Sequence, residues 1–403
     1  MLIRVFSTLF IALSLSAQPL AKPADAGLDA AHLARIPQRL REFVDKGTAA
    51  GFVTLVARHG KIAALEATGY TDLETRQPMK TNNIFQLHSM TKPVVCMAAM
   101  MLAEQGKLHV DDPVEIHLPE FRGQWAIQTK NPDGGVVLQK VNRKVTLRDL
   151  MTHTSGMISD PPPAIGELHG ALHKSLADVV LVESQQPLLF QPGTKWSYSN
   201  AGIASLARVV EVVSGMPYEK FLEAKIFKPL GMLDTHTFPP KEKWNRMPTA
   251  YILKDGKPLK YTADPLGEGK MKFRDGAKYP LPEGGLYSTA SDLFRLYQLF
   301  LNGGEWNGVR LLTRASVDEM TRVQTGSLKT STPGAGWGLG WFVMQADSNL
   351  LMPPGTFGHG GRYGTFCFID RKQDLIGIFM IHREGGSEER VAFVEEAIAS
   401  VVQ

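Results

Sequence analysis

The chain has 403 residues, of which 43% are hydrophobic and 21% are charged, as in an ordinary globular protein. A chain of this length can bury a large core without disulfides or metals. The formal net charge of +4 is small for this size, and no run of five Lys and Arg residues occurs, so nothing in the composition favours a nucleic-acid-binding protein.

Residues 1–21 have the pattern of a secretory signal peptide. Arg4 is a short positive region, residues 5–16 are almost wholly apolar, and small residues follow at Ala17 and Ala21. The apolar stretch is shorter than the roughly 20 residues that a membrane-spanning helix needs. An uncleaved anchor or a buried N-terminal helix is the alternative. We expect cleavage, a periplasmic or secreted protein, and no stable membrane span.

Hairpin patterns lie near both ends of the chain. Runs of β-branched and apolar residues at 52–57 and 62–68 flank a turn, and a similar pair occupies 364–370 and 375–381. Residues 341–344 favour a further strand. The other strong patterns are helical, with apolar residues every three or four positions. They cover 92–105, 146–152, 203–214, 291–301 and 388–402.

This order of elements predicts an α+β fold. An antiparallel β-sheet flanked by helices is built from both ends of the chain, and a mostly helical domain is inserted between them. We assign 28–84 and 286–403 to the sheet domain and 85–285 to the helical domain. The active site is expected where the two domains meet, because pockets often form at domain boundaries.

Neither the cysteines nor the clustered histidines predict a metal site. Cys96 and Cys367 each lie in an apolar run, which is typical of buried free thiols. His169 and His173 are spaced for one helix face with Glu167 nearby, but the sequence offers no third ligand. We therefore expect no metal and no cofactor.

Ser89 and Lys92 stand three residues apart at the start of a strong helical pattern, so their side chains share one face. The N–H group of Ser89 at this helix start is available to an oxyanion. A serine hydroxyl needs a base to become a nucleophile. Lys92 can be that base only if burial or a neighbouring cation lowers its pKa. Taken alone, the pattern also fits a capped helix with a solvated lysine.

Two further segments carry chemical groups. Tyr198 precedes a helix, and a tyrosine beside a lysine ammonium can have a lowered pKa and act as the base. The amide of Asn200 is suited to orienting Lys92 or a substrate carbonyl. Glycines at 358–364 allow the backbone to approach a ligand ahead of a strand, and we expect His359 to face the leaving group. Each segment alone also fits a structural turn.

Together, Ser-x-x-Lys, Tyr-x-Asn and the glycine-rich segment resemble, in that order, the motifs of the class C β-lactamase and family VIII carboxylesterase group of penicillin-recognising serine hydrolases. The resemblance extends over about residues 28–400. Other segments similar to signatures of this group are 146–156, 228–235 and 284–293.

The resemblance implies a role for each motif. Ser89 would be the nucleophile, and Lys92 and Tyr198 the pair that handles its proton. It also implies a substrate- and oxyanion-binding set. That set comprises Asn200, His359, Gly361 and Arg362. The oxyanion would be held by the backbone N–H groups of Ser89 and Arg362.

The third motif departs from the group's usual Lys or His, then Thr or Ser, then Gly. Here the positions read His359, Gly360 and Gly361. His359 is mostly neutral near pH 7, and Gly360 has no hydroxyl to hold a carboxylate, although Arg362 could supply a charge. This form resembles the esterase members of the group.

We therefore expect a serine hydrolase that cleaves small-molecule carboxylic esters through an acyl-enzyme on Ser89. Two alternatives stay open. One is a β-lactamase or D-alanyl-D-alanine peptidase, for which the substrate would be β-lactam-like. The other is a slow penicillin-binding protein that acylates without turnover.

Overall fold

The computed structural model describes residues 19–159, 173–261, 276–346 and 352–402. The signal-peptide pattern rests mainly on residues 1–18, which lie outside this part of the chain. Glu167 and His169 also lie outside it. Within the described ranges, no helix is both long and apolar enough to cross a membrane.

Helices dominate the middle of the chain, as predicted. The α-helices span Ala30–Asp45, Lys92–Glu104, Val114–His117, Leu147–Thr152, Leu176–Ser184, Asn200–Ser214, Tyr218–Leu222, Lys228–Leu230, Ala290–Leu301, Arg314–Thr321 and Glu388–Ala399. The predicted cap at Thr146 is present, because its side chain accepts the N–H of Asp149 and the Asp149 carboxylate accepts the N–H of Thr146. This reciprocal pair fixes the start of the helix that leads to the site.

Within the described residues, the strands form one large sheet from both ends of the chain and four small sheets. They are β1 (Gly51–Arg58), β2 (Lys61–Gly69), β3 (Phe85–Gln86), β4 (Trp125–Lys130), β5 (Val136–Lys140), β6 (Tyr251–Lys254), β7 (Lys257–Lys260), β8 (Tyr287–Ser288), β9 (Glu305–Trp306), β10 (Val309–Arg310), β11 (Ala335–Trp337), β12 (Phe342–Met344), β13 (Phe357–Gly360), β14 (Phe366–Asp370), β15 (Leu375–Met380) and β16 (Arg383–Glu384).

The main sheet has seven strands in the order β11-β12-β13-β14-β15-β1-β2, and every neighbouring pair is antiparallel. The two ends of the chain meet where β1 pairs with β15, from Val53 opposite Met380 to Arg58 opposite Leu375. All six residues of β15 are buried. The predicted α+β fold, with an antiparallel sheet built from both termini, is confirmed.

Helices cover both faces of this sheet. Alternate residues of β1 point to opposite faces. Val53 and Leu55 join the core that contains the helix Lys92–Glu104. Phe52 and Val56 join a second core beneath the two terminal helices. The sheet is therefore the middle layer of a sandwich.

The short sheet of β3 and β8 lies at both predicted domain boundaries. Phe85 pairs with Ser288, and Gln86 pairs with Tyr287. This pairing brings together the two points where the inserted region leaves and rejoins the rest of the chain. The division into 28–84, 85–285 and 286–403 stays a prediction, but the pairing places Ser89 immediately beyond this junction.

Two strand assignments differ from the sequence-based expectation. The segment around His359 was expected to be a turn ahead of a strand, but Phe357–Gly360 is itself strand β13, in the interior of the sheet. The inserted region also contains a hairpin, β4 and β5, which the helical interpretation missed. Local propensity did not identify either segment as a strand. In β13 the reason is its high glycine content.

Candidate active site

Ser89 lies in a tight turn directly before a helix. A 3₁₀ turn, His88–Thr91, runs into the helix Lys92–Glu104. The residue before the nucleophile, His88, has a φ of 46°, a left-handed conformation that costs energy for a side chain of this size. Ser89 is half-buried, whereas the first eleven residues of the helix, starting at Lys92, are all buried.

Lys92 connects the nucleophile to the rest of the site. Its Nζ donates to Ser89 Oγ at 2.9 Å and to the backbone carbonyl of Glu283 at 2.6 Å. The lysine side chain is completely buried. A buried amino group needs hydrogen-bond acceptors, so these two contacts aim Nζ at Ser89. The predicted pairing of Ser89 and Lys92 is therefore geometrically present.

Tyr198 contacts the same lysine. Lys92 Nζ lies 4.7 Å from the centroid of the Tyr198 ring. Asn200 is the first residue of the helix that follows, and the Ser199 side chain caps that helix by accepting the Gly202 N–H at 2.9 Å. The cap holds Tyr198 at the entrance to the helix, on the side of Lys92.

The protonation of Tyr198 differs from the sequence-based expectation. Burial raises the pKa of its phenol and outweighs the Ser89 hydroxyl, which lowers that pKa. The carboxylate of Glu283 raises it further, and the Tyr198 hydroxyl completes no well-aligned hydrogen bond within the described residues. The expected lowering of the Tyr198 pKa is wrong for the resting site, because desolvation of a phenolate outweighs the nearby lysine. Tyr198 therefore keeps its proton near neutral pH.

His359 lines the site and carries no charge. It is 3% exposed, and its Nδ1–H donates to the carbonyl of Gly360 at 2.7 Å. Burial, together with the positive charge of Lys92, lowers its pKa to about 3. Its ring centroid is 6.3 Å from that of Tyr198. The expected contact of His359 with a leaving group stays a prediction.

Gly361 connects the β13–β14 loop to the nucleophile turn. Its N–H donates to the Thr365 carbonyl at 2.7 Å, so this amide is already used. A Cβ at Gly361 would collide with Thr365 Oγ1 and with the Leu87 carbonyl. Thr365 Oγ1 itself donates to that same Leu87 carbonyl at 3.1 Å. The loop is thus packed tightly against the turn that holds Ser89.

The side chain of Arg362 is engaged outside this packing. Its Nε lies 3.0 Å from a carboxylate oxygen of Glu384, and its Nη2 donates to the Tyr261 hydroxyl at 3.0 Å. Its guanidinium is therefore bound by residues of this chain. The backbone N–H of Arg362 stays the predicted second donor to an oxyanion.

An aromatic cluster behind Tyr198 was missed by the sequence analysis. His153 has a φ of 61° after the helix Leu147–Thr152, and its Nδ1 accepts the Ser199 N–H at 3.2 Å. Its ring centroid is 4.3 Å from that of Tyr198. Trp196 and Trp337, with centroids 5.3 Å apart, complete the cluster. The 146–156 signature hinted at His153, but no pattern pointed to Trp337.

His153 is neutral for the same reason as His359. Burial, then the charge of Lys92, hold the pKa of His153 well below its usual range. Its Nδ1 accepts a hydrogen bond, so the single ring proton is on Nε2. Tyr198 is therefore surrounded by uncharged rings, and the cation beside it is Lys92.

The turn that supports Lys92 was also missed. The hydroxyl of Tyr279 donates to the Glu283 carboxylate at 3.0 Å, and both residues are buried. Within the turn, Leu281 has a φ of 52°. The Glu283 carbonyl that receives Lys92 is thus presented by a strained, hydrogen-bonded turn. The 284–293 signature lies beside it but gave no reason to select Glu283.

Comparison with known proteins agrees with this geometry. A family model described as Beta-lactamase matches residues 36–400. The chain belongs to the Beta-lactamase family. Esterase EstB of Burkholderia gladioli is 32% identical over 391 residues, covering 88% of this chain and 91% of EstB. The protein is a serine hydrolase of this family.

Two other relatives show the breadth of the family. The solved structure of EstCE1, a hydrolase with promiscuous acyltransferase activity, has a TM-score of 0.76 and 28% identity, covering 93% of this chain and 99% of EstCE1. An Escherichia coli K12 protein, provisionally named a D-alanyl-D-alanine carboxypeptidase, is 28% identical over 382 residues, covering 87% of this chain and 82% of the relative.

No arrangement of three or more His, Cys, Asp or Glu side chains suited to a metal ion occurs within the described residues. Cys96 and Cys367 are free and buried. Burial raises the pKa of the Cys96 thiol beyond its usual range and that of Cys367 to about 12. Neither thiol is therefore a ready nucleophile, which leaves Ser89 as the candidate.

The neutral histidines predict a specific pH dependence. Because the pKa of His359 is about 3 and that of His153 is also lowered, both rings stay uncharged as pH falls from 8 to 5. We expect His359→Gln and His153→Gln to lower kcat/KM for an ester without moving the midpoint of the acidic limb of its pH profile. Loss or displacement of that limb in either variant would show that a histidine titrates during catalysis.

Proposed function

We propose that the protein is an exported esterase that hydrolyses small carboxylic esters through an acyl-enzyme on Ser89. The observation that carries this proposal is the 2.9 Å contact between Lys92 Nζ and Ser89 Oγ, with Tyr198 against the same lysine. The name of its relative EstB supports the choice of esters.

In the proposed acylation step, the pair of Lys92 and Tyr198 has first released one proton to solvent. Ser89 Oγ then bonds to the ester carbonyl carbon as its own proton passes to the vacant position on the pair. The carbonyl oxygen becomes an oxyanion that accepts the N–H groups of Ser89 and Arg362. When the bond to the alcohol breaks, the pair returns the proton to the leaving oxygen. A water molecule then repeats the cycle and releases the acid.

Lys92 and Tyr198 act as one coupled unit in this scheme. The phenol is protonated at rest, because burial raises its pKa. Tyr198 is therefore suited to donating a proton toward the leaving oxygen, while the amino group of Lys92 contacts Ser89 Oγ directly. Two groups so close exchange the proton between them, and the titration belongs to the pair.

The preference for esters rests on the β13 motif. A β-lactam or peptide substrate carries a carboxylate that the site must hold, whereas a simple ester carries none. His359 is neutral and Gly360 has no side chain, so these two positions offer that carboxylate neither a charge nor a hydroxyl. The absence of a charge and a hydroxyl at these two positions does not affect the groups that transfer the acyl chain.

One observation favours the alternative of a carboxylate-bearing substrate. A Cβ at Gly360 would lie 3.9 Å from Nη1 of Arg390. The Arg390 guanidinium stacks 5.0 Å from the Phe366 ring centroid, and its Nε has no hydrogen-bond partner among the described residues. Arg390 is a candidate carboxylate ligand, so a β-lactamase or D-peptidase activity stays the second candidate.

Export is part of the proposal because of the pattern at residues 1–21. A short basic region, an apolar stretch and small residues at Ala17 and Ala21 are typical of a cleaved leader. Edman sequencing of protein recovered from the periplasm would test this. A start after Ala17 or Ala21 is expected, and an intact Met1 would contradict it.

The first prediction on function concerns Ser89. We expect Ser89→Ala to lower kcat for p-nitrophenyl butyrate by at least about 10³-fold, because the acyl-enzyme no longer forms. Nitrocefin hydrolysis, if present in the native protein, should fall equally. Circular dichroism and thermal unfolding check that the variant is folded, and full ester turnover by a folded variant would contradict the assignment.

The second prediction concerns the two adjacent glycines. At Gly360 a Cβ would meet Phe366 and the Thr365 carbonyl at 3.6 and 3.7 Å, which is ordinary contact. Gly360→Ser should therefore fold and offer a carboxylate a hydroxyl. We expect the ratio of kcat/KM for nitrocefin to that for the ester to rise about tenfold, as one hydrogen bond to a charged group allows.

Gly361→Ala is the matched control. Its Cβ would collide with the Leu87 carbonyl, next to the nucleophile turn. We expect both activities to fall together, with the ratio unchanged. An unaltered ratio in Gly360→Ser would show that β13 does not line the substrate, and native activity in Gly361→Ala would show that the loop after β13 does not hold the nucleophile turn.

A further inference from the structure

The hairpin of β4 and β5 exposes large apolar side chains far from Ser89 in sequence. Trp125 is 45% exposed, Val136 43%, Val137 44% and Leu138 41%. Single exposed apolar residues are common, but three of these four, Trp125, Val136 and Leu138, form a patch on one face. The patch needs an explanation that the catalytic site does not supply.

The register of the hairpin places three of these apolar residues on one face. Trp125 pairs with Lys140, and Ile127 pairs with Leu138 two positions along, so Trp125, Val136 and Leu138 share a face, whereas Val137 points to the other one. The opposite face carries Ala126, which is fully buried. The hairpin therefore packs against the protein around Ala126 and directs the apolar face of Trp125, Val136 and Leu138 outward.

Lysines border this outward face. Lys140 lies beside Trp125 at one end, and a register shift after Ile127 is followed by the pair of Lys130 and Val136 at the other. Both lysines are exposed, and neither forms an ion pair within the described residues. Their ammonium groups are thus available to an outside partner.

The surrounding segment concentrates the charge of the whole protein. Residues 122–145 contain five basic residues and one acidic residue, a net charge of +4 that equals the net charge of the entire chain. Everything outside this segment therefore sums to zero. Two of the five cations have partners in the chain, Arg143 with Asp149 and Lys144 with Glu115. The remaining three leave the segment electropositive.

A cavity of about 630 Å³ opens at the base of the hairpin. Its lining includes Trp125 and Lys140 from the hairpin and Phe121 and Lys144 beside it. Aromatic rings beside the exposed ammonium group of Lys140 suit an amphiphile that has an apolar body and an anionic head. The cavity and the outward face therefore share the same combination of aromatic side chains and lysines.

We propose that this face of the β4–β5 hairpin docks the protein onto a lipid bilayer that is rich in anionic headgroups. Tryptophan and aliphatic side chains enter the interfacial region, while Lys130 and Lys140 contact the headgroups. The charge argues against a second copy of this chain, because two identical electropositive faces would repel each other. A purely apolar partner would leave the lysines without a role.

The side chain of Gln191 connects the docking face to the catalytic region through hydrogen bonds to the backbone of the β5 end. The side chain of Gln191 donates to the Lys140 carbonyl at 3.1 Å and accepts the Asn142 N–H at 2.7 Å. The chain then runs from Gln191 through Trp196 to Tyr198. Bilayer contact would thus hold the loop that carries Tyr198 close to a supply of apolar substrates.

The test is co-sedimentation of the full-length mature protein with vesicles, either of phosphatidylcholine alone or of equal parts phosphatidylcholine and phosphatidylglycerol. We expect binding to the anionic vesicles that weakens as salt is added, and much weaker binding to the neutral ones. Lys130→Glu/Lys140→Glu should lower the partition coefficient at least about tenfold. Trp125→Ser/Leu138→Ser should also lower it.

Two matched variants separate this face from general charge and hydrophobicity. Lys107→Glu/Lys225→Glu makes the same change in net charge at exposed sites elsewhere, and Leu233→Ser removes an apolar side chain that is 60% exposed. Both should bind anionic vesicles as the native protein does. All variants should keep the native rate on p-nitrophenyl butyrate, which shows that they are folded.

Three results would overturn the proposal. They are no binding to anionic vesicles, equal binding to both vesicle types, and equal loss from the hairpin and control variants. Analytical ultracentrifugation adds a fourth, since a native dimer that the Trp125→Ser/Leu138→Ser variant converts to a monomer would assign the face to a second copy of this chain.

Discussion

The burial of Lys92 is the constraint on which the rest of the site depends. A completely buried amino group is costly unless it has hydrogen-bond acceptors. Ser89 Oγ and the Glu283 carbonyl provide them. To bring these acceptors together, the chain uses left-handed backbone at His88 and Leu281. Strain in two turns on either side of one lysine is the kind of cost that a functional site tolerates.

Burial explains why the neighbours of this lysine carry no charge. Loss of hydration lowers the pKa values of His153 and His359, and the positive charge of Lys92 lowers them further. A phenolate at Tyr198 would lose its hydration, so its pKa is raised. The outcome is one amino group among neutral rings. Such a site can transfer a proton and stabilise an oxyanion, but its β13 side chains offer no charge to a substrate carboxylate.

The parts of this account that the sequence predicted are local ones. The three-residue spacing of Ser89 and Lys92, and the hairpins at both chain ends, follow from short-range geometry, and both hold. The pKa direction of Tyr198 was predicted wrongly because it depends on burial by remote segments. His153 and Trp337 were missed since they reach Tyr198 only through the fold. The β4–β5 hairpin was missed because exposed apolar residues in a polar setting do not give a clear period.

The most direct test of the account is the rate at which a fluorophosphonate probe labels the protein, followed by peptide mass mapping, in the native chain and in Lys92→Met. Methionine fills the buried volume without an amino group. We expect a single labelled peptide containing Ser89, with labelling at least about 10²-fold slower in Lys92→Met. Labelling of another serine, or an unchanged rate in a folded Lys92→Met protein, would contradict it.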